Sequence, residues 1–239
     1  HNRAFEEAGL DYRYLAFDVN EQNLETAVNG LKALHVRGFN LTMPDKNRML
    51  TLCDRLSDAA SLIGAVNTVV NDNGILIGHN TDGIGYMRSV KDAGFDIIGK
   101  KMTLLGAGGA ATAILVQAAL DGVKEISVFV RRTSRFYDRA VSTAAALREK
   151  TGCRIQLWDF EDTDRLKNEL TDSTILTNAT SMGMAPNEAI CPIPDCSFLR
   201  DGLIVSDIIY NPKETLLLKL AREKGLPCFN GSYMLLYQG

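Results

Sequence analysis

The sequence predicts an α/β protein in which a doubly wound parallel sheet forms the larger of two domains. Three observations favour this fold class. Beyond residue 100, short apolar runs of strand length alternate with longer helix-like stretches, a pattern typical of parallel sheets covered by helices on both faces. The chain is 46% hydrophobic and 23% charged, which is enough apolar sequence for a sizeable core. Its 239 residues are also long enough for two domains.

The composition argues against several classes of function. The net charge is −3 and the basic residues are spread along the whole chain, so we expect no nucleic-acid partner. The apolar runs are too short to span a membrane. The five cysteines are irregularly spaced and include no C-x-x-C pair, so we expect neither a metal site nor a disulfide framework. Reduced thiols and the lack of a visible signal segment predict a cytoplasmic protein.

The first hundred residues mix strands with helices. Strands are predicted at residues 12–17, 38–42, 65–70 and 75–78, and helices at residues 23–34 and 83–93. The last two strands form a hairpin, because Asn71-Asp72-Asn73-Gly74 between them is a favourable turn. Pro44 stands where another helix could begin, and Gly94 is typical of a helix end. We expect the hinge between the two halves at residues 80–85.

The rest of the chain predicts a regular alternation of strands and helices. The strands are predicted at residues 102–105, 125–130, 154–158, 174–178, 203–207 and 227–229, and the helices at residues 110–120, 137–150, 163–170 and 214–224. This part of the chain should form the parallel sheet.

A glycine-rich turn follows the first strand of this alternation. Gly106-Ala107-Gly108-Gly109-Ala110 leads directly into a predicted helix, where unpaired amides and the helix dipole favour a pyrophosphate. The third position of the dinucleotide fingerprint is Ala111, which is an accepted variation. The context of strand, turn and helix favours dinucleotide binding, and the alternative is a tight turn with a purely structural role.

The end of the second strand indicates which dinucleotide is bound. An NAD site usually has an acidic residue there, whereas this chain has Arg131, Arg132 and Thr133. Guanidinium and hydroxyl groups suit an additional phosphate, so NADP is favoured and NAD use stays open. The alternative is a solvated basic turn without a ligand.

Three polar residues of the first domain are candidates for catalysis. Lys46 follows a strand in a proline-bounded turn, and Asn67 and Asp82 lie beside small residues where elements end. A lysine, an amide and a carboxylate that converge near a nicotinamide could transfer the proton in a hydroxyl–carbonyl interconversion. Taken alone, Lys46 would be interpreted as a surface lysine.

Together these segments resemble the shikimate dehydrogenase family over essentially the whole chain. The matching pieces, in order, are His1-Asn2, residues 38–46, 64–68, 80–83, 106–111 and 178–184, Asp207-Ile208-Ile209-Tyr210-Asn211-Pro212, and residues 231–238. A single one of these motifs would be weak evidence, but their common order is specific. The Arg131-Arg132 pair and the closing residues 235–239 look most like the branch of the family that also accepts quinate.

The resemblance implies an NADP-linked, reversible reduction of 3-dehydroshikimate to shikimate in aromatic amino-acid biosynthesis. Lys46 and Asp82 would be the catalytic acid/base pair. The implied substrate contacts are Tyr14, Thr42, Asn67, Tyr210 and Gln238. The implied coenzyme contacts are Gly106, Ala107, Gly108, Gly109 and Ala110 for the pyrophosphate, Arg131, Arg132 and Thr133 for the ribose phosphate, and Thr180, Ile208 and Gly231 for the nicotinamide.

The resemblance also implies a Rossmann-type coenzyme domain at residues 83–230 and a substrate domain at residues 1–82 plus 231–239, with a cleft between them. The family's serine pair and first strand would precede His1 and a helix would follow Gly239, so we expect a substrate domain truncated at both ends. Two other functions stay open, namely a dehydrogenase that prefers quinate and NAD, and a non-catalytic sensor of shikimate-type ligands. The intact Lys46 and Asp82 argue against the sensor. We expect a monomer or a homodimer.

Overall fold

The computed structural model describes residues 1–42 and 44–239. Met43, part of the motif at residues 38–46, lies outside the described residues. The helices are α1 (Asn2–Glu7), α2 (Leu24–Ala33), α3 (Asp58–Ile63), α4 (Asp82–Asp92), α5 (Gly109–Asp121), α6 (Tyr137–Thr151), α7 (Thr163–Leu170), α8 (Leu216–Glu223) and α9 (Ser232–Tyr237). The strands are β1 (Gly38–Asn40), β2 (Arg55–Leu56), β3 (Thr68–Asp72), β4 (Ile75–His79), β5 (Lys101–Leu105), β6 (Glu125–Val130), β7 (Arg154–Asp159), β8 (Ile175–Asn178), β9 (Ile204–Asp207) and β10 (Cys228–Phe229).

The larger sheet has the strand order β10-β9-β8-β5-β6-β7, and every neighbouring pair in it is parallel. This is the order of a dinucleotide-binding doubly wound sheet, and the chain reverses direction across the sheet between β5 and β8. Ligands of such sheets bind at the carboxyl ends of the strands beside this reversal. The predicted fold class is therefore confirmed.

Burial explains why these segments form a parallel sheet. Every residue of β6, β8 and β9 is buried, as expected for strands covered by helices on both faces. Helix α5 is apolar on most of its surface and packs against α3, α4, α6 and β5. It ends at Gly122, whose φ of +101° is the left-handed conformation that stops helices.

The smaller sheet belongs to the first part of the chain and has the order β1-β3-β4-β2. Strands β3 and β4 form the predicted antiparallel hairpin, in which Asp72 is paired with Ile75. Asn73 and Gly74 make the two-residue turn, and both have positive φ, +51° and +92°. Such turns match the twist of the flanking strands, so this sequence sets the hairpin register.

Two predictions for this region are wrong. Residues 12–17 form no strand and are exposed, because a strand needs a neighbour for its backbone groups, and here Asn2 takes that role. The Asn2 side chain accepts from the Tyr14 N–H at 2.6 Å and donates to the Tyr14 carbonyl at 2.9 Å. Pro44 starts a turn over residues 44–47 rather than a helix, and a 3₁₀ helix, Arg48–Leu52, follows.

Helix α4 joins the two sheets and packs closely on both sides. A Cβ on Gly83 would lie 2.3 Å from the Ala113 carbonyl oxygen of α5, and one on Gly85 would lie 2.7 Å from the Met234 carbonyl oxygen of α9. Two glycines two residues apart therefore allow α4 to lie between α5 and α9. In the part of the chain that the structure describes, no helix is long and apolar enough to cross a membrane.

Candidate active site

Lys46, Asn67 and Asp82 lie together in one hydrogen-bonded cluster. Lys46 Nζ donates to Asp82 Oδ2 at 2.9 Å, and Asn67 Nδ2 donates to Asp82 Oδ1 at 2.8 Å. The side chains of Lys46 and Asp82 are 20% and 12% exposed, so the ion pair is largely screened from bulk water. Both carboxylate oxygens thus have a donor, and the ammonium group keeps two more N–H bonds for a ligand.

Local backbone contacts hold each member of the cluster in place. The carbonyl of Lys46 accepts from the Val66 N–H at 2.8 Å, which ties the lysine turn to the residues before β3. Asp82 is the first residue of α4, where the helix dipole favours a carboxylate. Asn67 Oδ1 accepts from the Thr81 N–H at 3.0 Å, which fixes the orientation of the amide. Three separate segments therefore converge, which the sequence alone could not show.

The side chains of the other predicted substrate residues make no hydrogen bond with this cluster in the described part of the chain. The Gln238 carbonyl accepts from Thr81 Oγ1 at 2.6 Å, so the carboxyl-terminal segment reaches the cluster. Thr42 and Tyr210 are exposed, and their side chains make no hydrogen bond within the described residues. The Tyr14 ring packs on His1 with 4.2 Å between centroids. The structure joins Gln238 to the cluster through its backbone and leaves the other three side chains at the surface.

The glycine turn has the geometry of an anion site. Gly106 has φ +104°, and a Cβ on it would lie 2.8 Å from the Ala179 carbonyl oxygen, so only glycine fits there. A Cβ on Gly108 or Gly109 would meet nothing within 4 Å, which leaves open space above the turn. No side chain caps the amino end of α5. Its backbone N–H groups are therefore available to a phosphate.

A cavity of about 320 Å³ opens beside this turn, at the carboxyl ends of β5 to β8. Its volume is in the range of small-molecule sites. Of the predicted coenzyme residues, the structure places Gly106, Ala107, Gly108, Arg131 and Thr180 on its wall, but not Gly109, Ala110, Arg132, Thr133, Ile208 or Gly231. The wall residues that the sequence did not assign to the site are Phe129, Val130, Ser134, Phe136, Phe160, Ala179, Ser181 and Met182.

The basic turn after β6 lies at one end of the cavity. Arg131 lines the cavity, whereas Arg132 pairs with Asp159 at 3.3 Å. Arg139, which the sequence did not single out, reaches back to the glycine turn and donates to Thr112 Oγ1 at 3.3 Å. Partial burial lowers the pKa of the Arg139 guanidinium, which still stays charged at neutral pH. The signal that the sequence offered was a basic residue in the first turn of the predicted helix α6.

The opposite end of the cavity is formed by the residues after β8. Thr180 Oγ1 and N–H both donate to Asn178 Oδ1, at 2.7 and 3.1 Å. Gly231 lies against Ile208, whose carbonyl oxygen would be only 1.8 Å from a Cβ on that glycine. Ile208 and Gly231 are thus in contact through backbone. Asp207, the residue before Ile208, is buried, and this burial raises the pKa of its carboxyl group despite three hydrogen-bond donors.

Helix α4 connects the polar cluster to the parallel sheet. One turn after Asp82, the buried Tyr86 hydroxyl forms a 2.5 Å hydrogen bond with Thr177 Oγ1 of β8. Burial raises the pKa of Tyr86 to about 12, so this hydroxyl stays neutral. Thr177 directly precedes Asn178 and the wall of the cavity. The cluster of Lys46, Asn67 and Asp82 and the cavity at the glycine turn are therefore linked through one helix and one strand.

The chain is similar to known proteins. The model of the shikimate dehydrogenase substrate binding domain matches residues 1–69. A curated shikimate dehydrogenase (NADP(+)) from Listeria monocytogenes serotype 4b, strain F2365, is 54% identical over 239 residues, which are 100% of this chain and 82% of the relative. The chain belongs to the shikimate dehydrogenase family.

Solved structures of related dehydrogenases agree with this membership. Shikimate 5-dehydrogenase from Listeria monocytogenes, crystallised with shikimate and NAD, has a TM-score of 0.96 and 53% identity, covering 100% of this chain and 82% of its own. Quinate dehydrogenase from Corynebacterium glutamicum, in complex with NAD, has a TM-score of 0.84 and 30% identity, covering 99% and 83%. The predicted family and its two-domain fold are confirmed.

Proposed function

We propose that this chain catalyses the reaction of its family, the reversible reduction of 3-dehydroshikimate to shikimate with NADPH in aromatic amino-acid biosynthesis. The observation that carries the proposal is the Lys46–Asp82–Asn67 cluster, linked through α4 to the cavity at the glycine turn. The 54% identity to an NADP(+)-dependent relative supports NADP as the preferred coenzyme. NAD use stays open, since two related structures contain NAD.

The chain's own residues fit NADP. Gly106 to Ala110 would hold the pyrophosphate, because the amino end of α5 presents uncapped N–H groups beside open space. Arg131, Arg132 and Thr133 would contact the ribose phosphate. Thr180, Ile208 and Gly231 would contact the nicotinamide end. When bound, NADPH supplies the hydride that the carbonyl carbon of the substrate accepts.

Lys46 and Asp82 would handle the proton. As the substrate carbonyl is reduced, negative charge builds on its oxygen, and the Lys46 ammonium would stabilise this charge and deliver a proton to the oxygen. Asp82 would hold the ammonium at 2.9 Å, and Asn67 would keep the carboxylate in position. Thr42, Tyr14, Tyr210 and Gln238 would bind the hydroxyl and carboxylate groups of the substrate.

The site lies where two proposed domains of the chain meet. We propose a substrate domain at residues 1–82 plus 231–239 and a coenzyme domain at residues 83–230. The hydrogen bond from Thr81 Oγ1 to the Gln238 carbonyl supports the return of the chain end to the first domain. The five cysteines are all free thiols, which suits a reducing compartment, so we propose the cytoplasm as the location.

The proposed function is tested by steady-state oxidation of shikimate and of quinate, each with NADP and with NAD. We expect the highest kcat/KM for shikimate with NADP. A preference for quinate with NAD would move the chain to the quinate branch, which the similarity to the quinate dehydrogenase makes a real alternative. Coenzyme binding without turnover of either substrate would contradict an enzymatic function and favour a sensor.

Two glycine variants should separate folding from coenzyme binding. Gly106→Ala should lower both the melting temperature and the affinity for NADP, because the new Cβ would lie 2.8 Å from the Ala179 carbonyl oxygen at a φ of +104°. Strain of this kind costs about 1–3 kcal/mol. Gly108→Ala should keep the melting temperature and lower only the affinity, since its Cβ meets no protein atom within 4 Å.

Thermal unfolding and calorimetric titration with NADP measure both quantities. Unchanged NADP affinity in Gly108→Ala would show that the coenzyme does not approach the turn.

A further inference from the structure

The carboxylate of Asp207 lies at the end of β9, is 1% exposed, and accepts hydrogen bonds from three different segments. Its Oδ1 accepts from the Ile209 N–H at 3.0 Å. Its Oδ2 accepts from Asn178 Nδ2 at 3.1 Å and from Thr215 Oγ1 at 2.8 Å. The reaction proposed above gives this residue no chemical step, yet a buried carboxylate is costly unless it is well paired.

The Asn178 side chain connects Asp207 to the cavity wall through hydrogen bonds. Asn178 is 0% exposed. Its amide nitrogen donates to Asp207 and also to the Met182 carbonyl, at 3.1 Å in both cases. Its amide oxygen accepts from the N–H and the hydroxyl of Thr180. Thr180 and Met182 line the cavity, so the orientation of this one amide sets the shape of that wall.

The same carboxylate fixes the backbone at Ile208. The Ile208 N–H donates to the Asn178 carbonyl at 3.0 Å, and the Ile209 N–H donates to Asp207. The backbone of Ile208 is thus fixed by two hydrogen bonds, one from its own N–H and one from the N–H of the next residue. Gly231 fits against its carbonyl group. Asp207 therefore holds the two segments that carry Thr180 and Ile208.

We propose that Asp207 and Asn178 are positioning residues that set the nicotinamide end of the coenzyme site. The inference rests on the proposed function, in which Thr180, Ile208 and Gly231 contact the nicotinamide. Neither Asp207 nor Asn178 lines the cavity. They act through Thr180 and the Ile208 backbone, whose positions they fix at the nicotinamide end of the site.

The donor pattern makes Asp207→Asn an informative substitution. All three partners of the carboxylate are donors, whereas an asparagine in its place has one oxygen and one NH₂ group. Its NH₂ group would face either the Ile209 N–H or the NH₂ group of Asn178. Asn178 cannot compensate by rotating its amide, because its nitrogen would then face the Thr180 N–H. The substitution keeps the volume but disturbs the wall.

The experiment compares the binding of NADP⁺ with that of 2′,5′-ADP, which is its adenine half without the nicotinamide. In Asp207→Asn we expect the Kd of NADP⁺ to rise on the order of tenfold, the effect of leaving a buried donor unpaired. The Kd of 2′,5′-ADP should stay at the wild-type value, because in the described part of the chain the side chains of Asp207 and Asn178 make no hydrogen bond with the basic turn after β6. A purely structural role would change both constants together or neither of them.

Thr215→Val is the matched control. Thr215 also donates to Asp207, but it caps α8 by accepting from the Leu218 N–H, and within the described residues it has no hydrogen bond with Thr180. This variant should melt at a lower temperature and bind both ligands as the wild type does. Asn178→Ser removes the amide oxygen that accepts both hydrogen bonds from Thr180. This variant should reproduce the selective loss of NADP⁺ affinity.

The inference is overturned if Asp207→Asn loses affinity for both ligands equally. It is also overturned if a folded Asp207→Asn or Asn178→Ser binds NADP⁺ as the wild type does. If Asp207→Asn does not fold, Asn178→Ser decides. Binding is measured without substrate, so an enzyme that binds NADP⁺ normally but does not oxidise shikimate would contradict the proposed reaction, and the two ligand constants would still decide the role of Asp207.

Discussion

Replacing Lys46 by methionine should lower kcat for shikimate oxidation by at least about a hundredfold, within the usual range for loss of a general acid or base. Methionine keeps most of the length of the side chain but has no proton to give and no charge to stabilise an oxyanion. The Asp82 carboxylate keeps the Asn67 amide as a donor at 2.8 Å, so the cluster should hold its shape. NADP affinity should stay unchanged, because Lys46 is not on the cavity wall.

Lys32→Met is a suitable control for this experiment. Lys32 belongs to the same part of the chain and also pairs with a carboxylate, Asp54, at 3.3 Å, but both side chains are more exposed than those of the Lys46 pair. Losing such a surface pair costs at most about 1 kcal/mol. Steady-state kinetics should therefore show wild-type turnover for Lys32→Met. Turnover within a few-fold of wild type in Lys46→Met would remove Lys46 from the proposed mechanism.

Most of the coenzyme-binding part of the fold could be predicted from the sequence. Strand β6 and helix α7 have the predicted bounds, since a short apolar run and a helix start with Asp162 as its cap are strong local signals. The strand predicted at residues 12–17 failed because local pattern does not reveal whether a pairing strand exists. Helix α3 was not predicted, although Ser57 caps its start and Gly64 ends it with φ +70°.

The site was harder to predict, because it depends on distances between remote segments. The sequence named Lys46, Asn67 and Asp82 but did not show that they meet. It did not reveal the bond from Tyr86 to Thr177 that ties their helix to the sheet. Nor did it single out Asp207 as a partner of Asn178, since these residues are 29 positions apart in the chain. Residue type suggested the chemistry, and packing determined the geometry.

Gly83→Ala should reduce both stability and turnover, because Gly83 sets the distance between α4 and α5. A Cβ there would lie 2.3 Å from the Ala113 carbonyl oxygen and 2.6 Å from Gln117 Cβ. The backbone of α5 cannot rotate away as a side chain would, so α4 must shift. Overpacking costs about 1–3 kcal/mol, which corresponds to a fall in melting temperature of roughly 2–4 °C per kcal/mol in a chain of this length.

The shift of α4 should also lower kcat, because Asp82 is the residue before Gly83. A displacement approaching 1 Å would lengthen its bonds to Lys46 and Asn67, and misplacement on this scale can lower kcat by up to about a hundredfold. Gly30→Ala in α2 is the control, since its Cβ would meet nothing within 4 Å and alanine favours a helix by about 1 kcal/mol. That variant should melt at the same or a higher temperature with normal kcat. If Gly83→Ala instead behaved like Gly30→Ala, contact between α4 and α5 would not be what positions Asp82.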